Sequence, residues 1–267
     1  MIGIEGGVGV QSYCFRAFRD LASMLEGVCR AGYGSVELCA VHVDFDKPDE
    51  FEAVAEAVRG AGVRIVSIGV EGLADNREVE RRRFEFLKVC GARFMSVDFD
   101  PAAVPGAYRT AEELAEAYDV RLAIHNHGGR HWLGSAQMLE RVFAETGERI
   151  GLCLDTAWAM HAHEDPVEMA SRFGRRLFGL HLKDFVFDRA GRHEDVVVGS
   201  GNLDLGALKA VLDEASFDGY AVVEYEGDAA DPVPALRACR EAVEKVFGGR
   251  AGGTTPDGGR GTSETAS

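Results

Sequence analysis

Arg121-Leu122-Ala123-Ile124-His125-Asn126-His127 decides the fold, together with its two successors, Ile150-Gly151-Leu152-Cys153-Leu154-Asp155 and Leu177-Phe178-Gly179-Leu180-His181-Leu182-Lys183. Each is an apolar run of strand length that ends in ionisable residues. Alternate residues of a strand share a face, so Ala123, His125 and His127 oppose Leu122 and Ile124. Gly151, Cys153 and Asp155 oppose Leu152 and Leu154 in the same way, and Gly179, His181 and Lys183 oppose Leu180 and Leu182. The large aliphatic side chains suit a face covered by helices. The small and ionisable ones then point inward, with the small residues leaving room for a site above them. Strands apolar on both faces belong to a covered parallel sheet.

Working outward, the same pattern gives eight strand candidates: Val8 to Cys14, Ser35 to Val41, Arg64 to Val70, Phe94 to Phe99, Arg121 to His127, Ile150 to Asp155, Leu177 to Lys183 and Tyr220 to Tyr225. Amphipathic segments of helix length lie between them, among them Pro48 to Ala61, Asn76 to Cys90 and Leu205 to Ala215. Tyr108 to Tyr118 is the short, weak helical unit. Gly32, Gly34, Gly62, Gly91, Gly147 and Gly219 stand between helix and following strand, where helix C-caps favour glycine. Eight βα units of roughly 30 residues fill nearly the whole chain, the size of a closed (β/α)8 TIM barrel. An open doubly wound sheet would be supported by G-x-G-x-x-G after the first strand, and none is there. The expected organisation is one barrel domain over 1–247. From Gly248 to Ser267 the composition turns to Gly, Thr, Ser and Pro, which reads as a disordered tail.

The 267 residues carry 29 Lys and Arg against 44 Asp and Glu, a formal net charge of −15. Binding to nucleic acid needs a clustered basic face, and the sequence has none. No stretch approaches the ~18 consecutive apolar residues of a membrane span, and the start lacks a basic export signal. A cytoplasmic chain is therefore expected, with no nucleic acid and no membrane among its partners. The six cysteines are scattered singly, which suits reduced thiols packed in a core.

In a parallel barrel, chemistry collects at the carboxyl ends of the strands. The last four strands end in metal-ligand residue types: His125 and His127, Asp155, His181, and Glu224. Any one of these alone is more often a helix cap or loop anchor, and Asp155 before Thr156 has the form of an N-cap. Four on successive strands point instead to one divalent ion. Mixed nitrogen and oxygen ligation suits Mn, Co, Zn or Fe better than Ca. Strand five leaves either His125 or His127 as its ligand.

At these residues the chain resembles the xylose isomerase-like TIM barrel superfamily, which takes in sugar phosphate isomerases/epimerases, inosose dehydratases and the AP endonuclease branch. The resemblance rests on Gly34-Ser35-Val36-Glu37-Leu38, Leu122-Ala123-Ile124-His125-Asn126-His127-Gly128, Leu154-Asp155-Thr156-Ala157-Trp158, Asp165-Pro166-Val167-Glu168, His181-Leu182-Lys183-Asp184, Gly199-Ser200-Gly201-Asn202-Leu203-Asp204 and Val223-Glu224-Tyr225-Glu226. It implies His125, Asp155, His181 and Glu224 as ligands to one divalent metal ion, Mn, Co, Zn or Mg. His125 stands where many members have glutamate, so an epimerisation with two metal-bound glutamates as opposed acid and base is not carried over intact. Trp158 stands where several branches, the endonucleases included, have histidine. A homodimer is a further expectation from the resemblance.

The chemistry such a site favours is removal of a proton beside a carbonyl, with the metal stabilising the enediolate. Glu224, His127 and Lys183 are the candidate catalytic acids and bases. Glu37, Trp158 and Lys183 are the candidate substrate contacts, for a small keto sugar or keto-polyol. Isomerase or epimerase activity leads; a lyase or dehydratase acting on a keto-inositol or 3-keto-glycoside is the alternative. Phosphodiester hydrolysis and non-catalytic sugar binding rank below both. Glu37 also fits a structural salt bridge, and Phe185 fits an apolar wall beside Trp158. His161 and His163 suit a solvated loop, while His42 and Glu71 belong to the rim. Gly199-Ser200-Gly201 makes a tight turn more readily than a phosphate loop.

Overall fold

A computed structural model describes residues 7–248. The tail expected from Gly248 onward lies outside them from residue 249. Eight parallel strands close a barrel: β1 (Gly9–Gln11), β2 (Ser35–Leu38), β3 (Arg64–Leu73), β4 (Phe94–Phe99), β5 (Arg121–His125), β6 (Ile150–Asp155), β7 (Leu177–Leu182) and β10 (Tyr220–Val223). Between β7 and β10 the chain makes an antiparallel hairpin, β8 (Asp184–Phe187) with β9 (His193–Val196). Around the barrel run α1 (Leu21–Ala31), α2 (Phe51–Gly60), α3 (Arg77–Cys90), α4 (Gly106–Tyr118), α5 (Ala136–Glu145), α6 (Thr156–His161), α7 (Pro166–Phe173), α8 (Leu205–Glu214) and α9 (Val233–Phe247). None of the described helices is long and apolar enough to cross a membrane.

The expected TIM barrel is therefore the observed one, with corrections in detail. Several strands stop earlier than the apolar runs suggest: β5 ends at His125, β7 at Leu182 and β10 at Val223. The fourth helix is not short: it starts at Gly106 and spans 13 residues. The hairpin is an addition to the expected order, since its strands are four residues each and the second is mostly polar. Gly32 and Gly91 adopt the left-handed conformation as C-caps of α1 and α3. Gly34, Gly147 and Gly219 do not, and at Gly219 a Cβ would stand 2.1 Å from the Phe178 carbonyl oxygen.

The facing expected from alternation holds. Leu122, Ile124, Leu152, Leu154, Leu180 and Leu182 join the layer packed under the helices. Val66, Phe94, Ala123, Cys153, Phe178, Tyr220 and Val222 form a separate cluster inside the barrel. The small inward residues serve a different purpose from the expected one. A Cβ on Gly179 would lie 2.4 Å from the Tyr220 ring, and one on Gly151 would lie 2.6 Å from the Phe178 ring. Two aromatic rings thus fill the space beneath the ligand positions and give the site a packed floor.

Side chains extend the ladder past the strand ends. Asn126 donates to the Asp155 carbonyl (3.0 Å) and accepts from the Asp155 N–H (2.9 Å), joining β5 to β6. Thr156 donates through its hydroxyl to the Lys183 carbonyl and accepts from the Lys183 N–H, joining β6 to β7. Asp184 carries the heaviest load. Its carboxylate accepts from the backbone N–H groups of Gly199, Gly201, Asn202 and Leu203 at 2.8 to 2.9 Å. The Gly199-Ser200-Gly201 turn is an anion-binding nest whose anion is the protein's own Asp184, which leaves no room for a phosphate.

Replacing Asp184 by alanine strands four backbone donors, two of them in buried or half-buried loop. We expect Asp184→Ala to lower unfolding stability by about 3 kcal/mol or more, read from urea denaturation. An unchanged midpoint would show that this nest is not what anchors the loop.

Candidate active site

β5, β6, β7 and β10 bring their carboxyl ends to one side of the barrel. His125, Asp155, His181 and Glu224 each offer a ligand atom there, and these atoms lie within 4.8 Å of one another. All four side chains are buried; Glu224 is the most accessible, at 8%. Nε2 of His125 lies 3.0 Å from Nδ1 of His181 and 3.5 Å from Oδ2 of Asp155. Nδ1 of His181 lies 2.8 Å from Oε2 of Glu224, and its Nε2 lies 2.9 Å from Oε1 of Glu37.

Asp155 reconciles two readings of one residue. Its Oδ1 caps α6 by accepting from the Trp158 N–H at 2.8 Å. Its Oδ2 is buried, faces His125 and has no hydrogen-bond partner among the described residues. The helix cap therefore fixes the carboxylate so that the second oxygen faces the cluster.

The electrostatics follow from burial set against close charges. Burial opposes a charge on His181, but Cys153 beside it and the carboxylates of Glu37 and Glu224 on its two nitrogens hold its pKa well above the ordinary histidine value. Burial also disfavours the Glu224 carboxylate; Lys183, His181 and His125 outweigh it and keep Glu224 ionised well below the usual carboxylate range. His127 goes the other way. Burial, and then the neighbouring His125 and His131, bring it down to about 4, so it is neutral near pH 7.

The structure separates the two histidines of strand five. His125 joins the four-residue cluster, and His127 joins a neighbouring group with Asp98 and His131. In that group His131 Nδ1 accepts from the Leu133 N–H at 3.3 Å, so its Nε2 carries the proton toward Asp98 Oδ2 at 3.2 Å. This is an Asp–His pair within hydrogen-bond reach, with the His127 ring 4.8 Å from His131 and 4.5 Å from His125.

Lys183 is buried and pairs with Glu226, with Asp195 at 3.9 Å. Burial favours its neutral form, but Glu224, Asp155, Glu226 and Asp195 hold it protonated above the ordinary lysine value. Its Nζ stands 5.1 Å from the centre of the Trp158 ring. Trp158 meets Phe185 and His193 edge-on at 5.2 and 5.1 Å, so the hairpin supplies an aromatic wall beside the cluster. Glu37 is fully buried, and its Oε1 accepts from Gln11 Nε2 (2.6 Å) and Ser96 (2.8 Å) as well as His181. That places it under the cluster and not at an open mouth, where a substrate contact would stand.

The remaining candidates fall away from the cluster. His161 packs on His193 and Phe187 in the aromatic group, and His163 belongs to neither ligand group among the described residues. His42 is a loop anchor, with Nε2 2.8 Å from the Phe18 carbonyl. Glu71 pairs with Arg83 at 3.1 Å and ties β3 to α3. Sequence reasoning missed Gln11, Ser96, Asp98, Asp195 and Glu226. For Ser96 and Asp98 a signal was available, since they share the inward face of β4 with Phe94.

Residues 25–246 match the sequence model of the xylose isomerase-like TIM barrel family. The chain is 32% identical over 132 residues to the rhizopine catabolism protein MocC of Rhizobium meliloti, covering 44% of this chain and 40% of that protein. It is 26% identical over 205 residues to 3-oxo-isoapionate decarboxylase of Pectobacterium atrosepticum, covering 72% of each. It is 21% identical over 215 residues to inosose dehydratase of Clostridium beijerinckii, covering 74% of this chain and 70% of that one. Among solved structures, 3-keto-D-glucoside 4-epimerase of E. coli aligns with a TM-score of 0.67 at 16% identity, covering 92% of this chain and 100% of that one. The IOLI protein, with a bound zinc atom, aligns with a TM-score of 0.69 at 16% identity, covering 90% and 97%. At that identity the two structures establish the fold alone. A match over most of the chain, joined to the closed eight-stranded order and the polar ends of its last four strands, settles the kinship: the chain belongs to the xylose isomerase-like TIM barrel family.

Proposed function

We propose that this chain is a divalent-metal-dependent enzyme that removes the proton beside the carbonyl of a small keto sugar or keto-polyol and returns it, as an isomerase or epimerase does. The observation that carries this reading is the buried, unpartnered Oδ2 of Asp155, facing a set of nitrogen and oxygen donors gathered within 4.8 Å. A carboxylate oxygen is costly to bury without a partner, and a cation supplies one. His125, Asp155, His181 and Glu224 would hold the ion, and the mixed donor set fits Mn, Co, Zn or Fe. When bound there, such an ion would polarise the substrate carbonyl and offset the charge that develops on its oxygen.

The chain's own groups then divide the proton transfer. Glu224 is the most accessible of the four, which makes it the candidate base. His127 is neutral near pH 7, and its buried Nδ1 has no hydrogen-bond partner among the described residues, which leaves it able to take up a proton. Lys183 is held protonated, so it does not serve as a base; it keeps Glu224 charged and closes the wall under Trp158. Trp158, with Phe185 and His193, offers an apolar face against which the C–H surface of a sugar ring can pack.

A second reading, a lyase or dehydratase, is favoured by one feature. The two proton-handling groups are unlike, a carboxylate at 224 and an imidazole at 127, whereas reversal of a stereocentre is served by matched partners on opposite faces. Inosose dehydratase among the relatives supports this branch. Both branches share the same first step.

Two measurements test the reading. The protein loaded with Mn, Co or Zn is expected to hold one ion, and Asp155→Ala and His181→Ala are each expected to lose at least about 100-fold in metal affinity, more than loss of a residue that only supports a ligand usually costs. Unaltered binding in both variants would remove these residues as ligands. In deuterium oxide, with a panel of ketoses, inososes and 3-keto sugars, deuterium is expected at the carbon beside the carbonyl, and Glu224→Gln should slow this exchange by about 10²–10⁴-fold. Formation of an unsaturated ketone selects the lyase branch. Exchange at the wild-type rate in Glu224→Gln would remove Glu224 as the base.

A further inference from the structure

Glu37 is a carboxylate at 0% exposure on β2, across the barrel from His181 on β7. Burying a lone carboxylate costs several kcal/mol, so its position needs a compensating partner. Three donors converge on one of its oxygens: Gln11 Nε2 from β1 at 2.6 Å, the Ser96 hydroxyl from β4 at 2.8 Å and His181 Nε2 at 2.9 Å. Gln11 is itself fixed by a second bond to the Gly69 carbonyl at 3.1 Å. Gly69 permits this packing, because a Cβ there would lie 2.1 Å from the Ser96 hydroxyl oxygen. Side chains of β1 and β4 thus hold Glu37 in one orientation, aimed at the imidazole nitrogen that faces away from the ligand cluster.

We infer that Glu37 is a positioning residue for the metal centre: it holds the Nε2–H of His181 and thereby presents Nδ1 to the cluster. The inference rests on the metal reading above and assigns Glu37 to the ligand's support in place of substrate contact. A histidine ligand whose second nitrogen donates to a carboxylate has its ring orientation and tautomer fixed and becomes the better donor. Its partners Gln11 and Ser96 act one step further out, through Glu37.

The test compares Co²⁺ binding to the full chain and to Glu37→Gln and Ser96→Ala, by competition with a chromophoric chelator and by the visible absorption of the bound Co²⁺. Glu37→Gln keeps the shape but removes the charge, and it is expected to weaken Co²⁺ binding by about 10- to 100-fold and to shift the Co²⁺ bands. Ser96→Ala is expected to weaken binding by a smaller factor in the same direction. Thermal unfolding of the metal-free variants separates a purely structural role, which would lower the melting temperature while leaving affinity and spectrum as in wild type; that outcome overturns the inference. If Glu37→Gln does not fold, Ser96→Ala decides: wild-type affinity and bands in that variant also overturn it. A wild-type chain that binds no Co²⁺, Mn²⁺ or Zn²⁺ overturns the metal reading, and this inference with it.

Discussion

The site is organised by one buried imidazole held between two carboxylates. His181 is fully enclosed, with Glu37 on one nitrogen and Glu224 on the other, at 2.9 and 2.8 Å. Charges in so dry a place persist only when they are paired and hydrogen-bonded, and removing one partner leaves the other uncompensated. The barrel meets this requirement by closure. Only a closed sheet places β2, β7 and β10 around a common interior, so that residues 144 positions apart in the chain meet across it.

The loops beyond the strands are built to keep that geometry. Asn126 and Thr156 stitch neighbouring strand ends together, and the α6 cap turns one oxygen of Asp155 toward the cluster. Asp184 fills the glycine nest and so secures the segment that carries the hairpin and its aromatic residues. Phe178 and Tyr220 close the barrel below the polar groups. An ion that binds at this mouth has to displace the proton favoured on His181, so its affinity should fall as the solution becomes more acidic.

Much of this was legible in the sequence. Period-two alternation in residues 121–127, 150–155 and 177–183 gave both the covered parallel sheet and the inward direction of His125, Asp155 and His181. What stayed hidden depended on contacts between distant strands. Glu37 is a single acidic residue in a short run, and nothing local says that its partner is His181 and not a substrate hydroxyl. The choice between His125 and His127 turned on the end of β5, since the chain leaves the sheet after His125. The glycine nest could be located but not its occupant, because the acceptor, Asp184, precedes it by 15 residues. The hairpin was missed because its strands are only four residues long and the second, His193–Val196, is mostly polar.

Anomalous X-ray scattering from crystals of this protein grown with Mn²⁺ or Co²⁺ tests the central claim most directly. The claim predicts a single strong peak bounded by Nε2 of His125, Oδ2 of Asp155, Nδ1 of His181 and a carboxylate oxygen of Glu224. A peak that instead sits among Asp98, His127 and His131, or no peak at the strand ends under any loading condition, would contradict it.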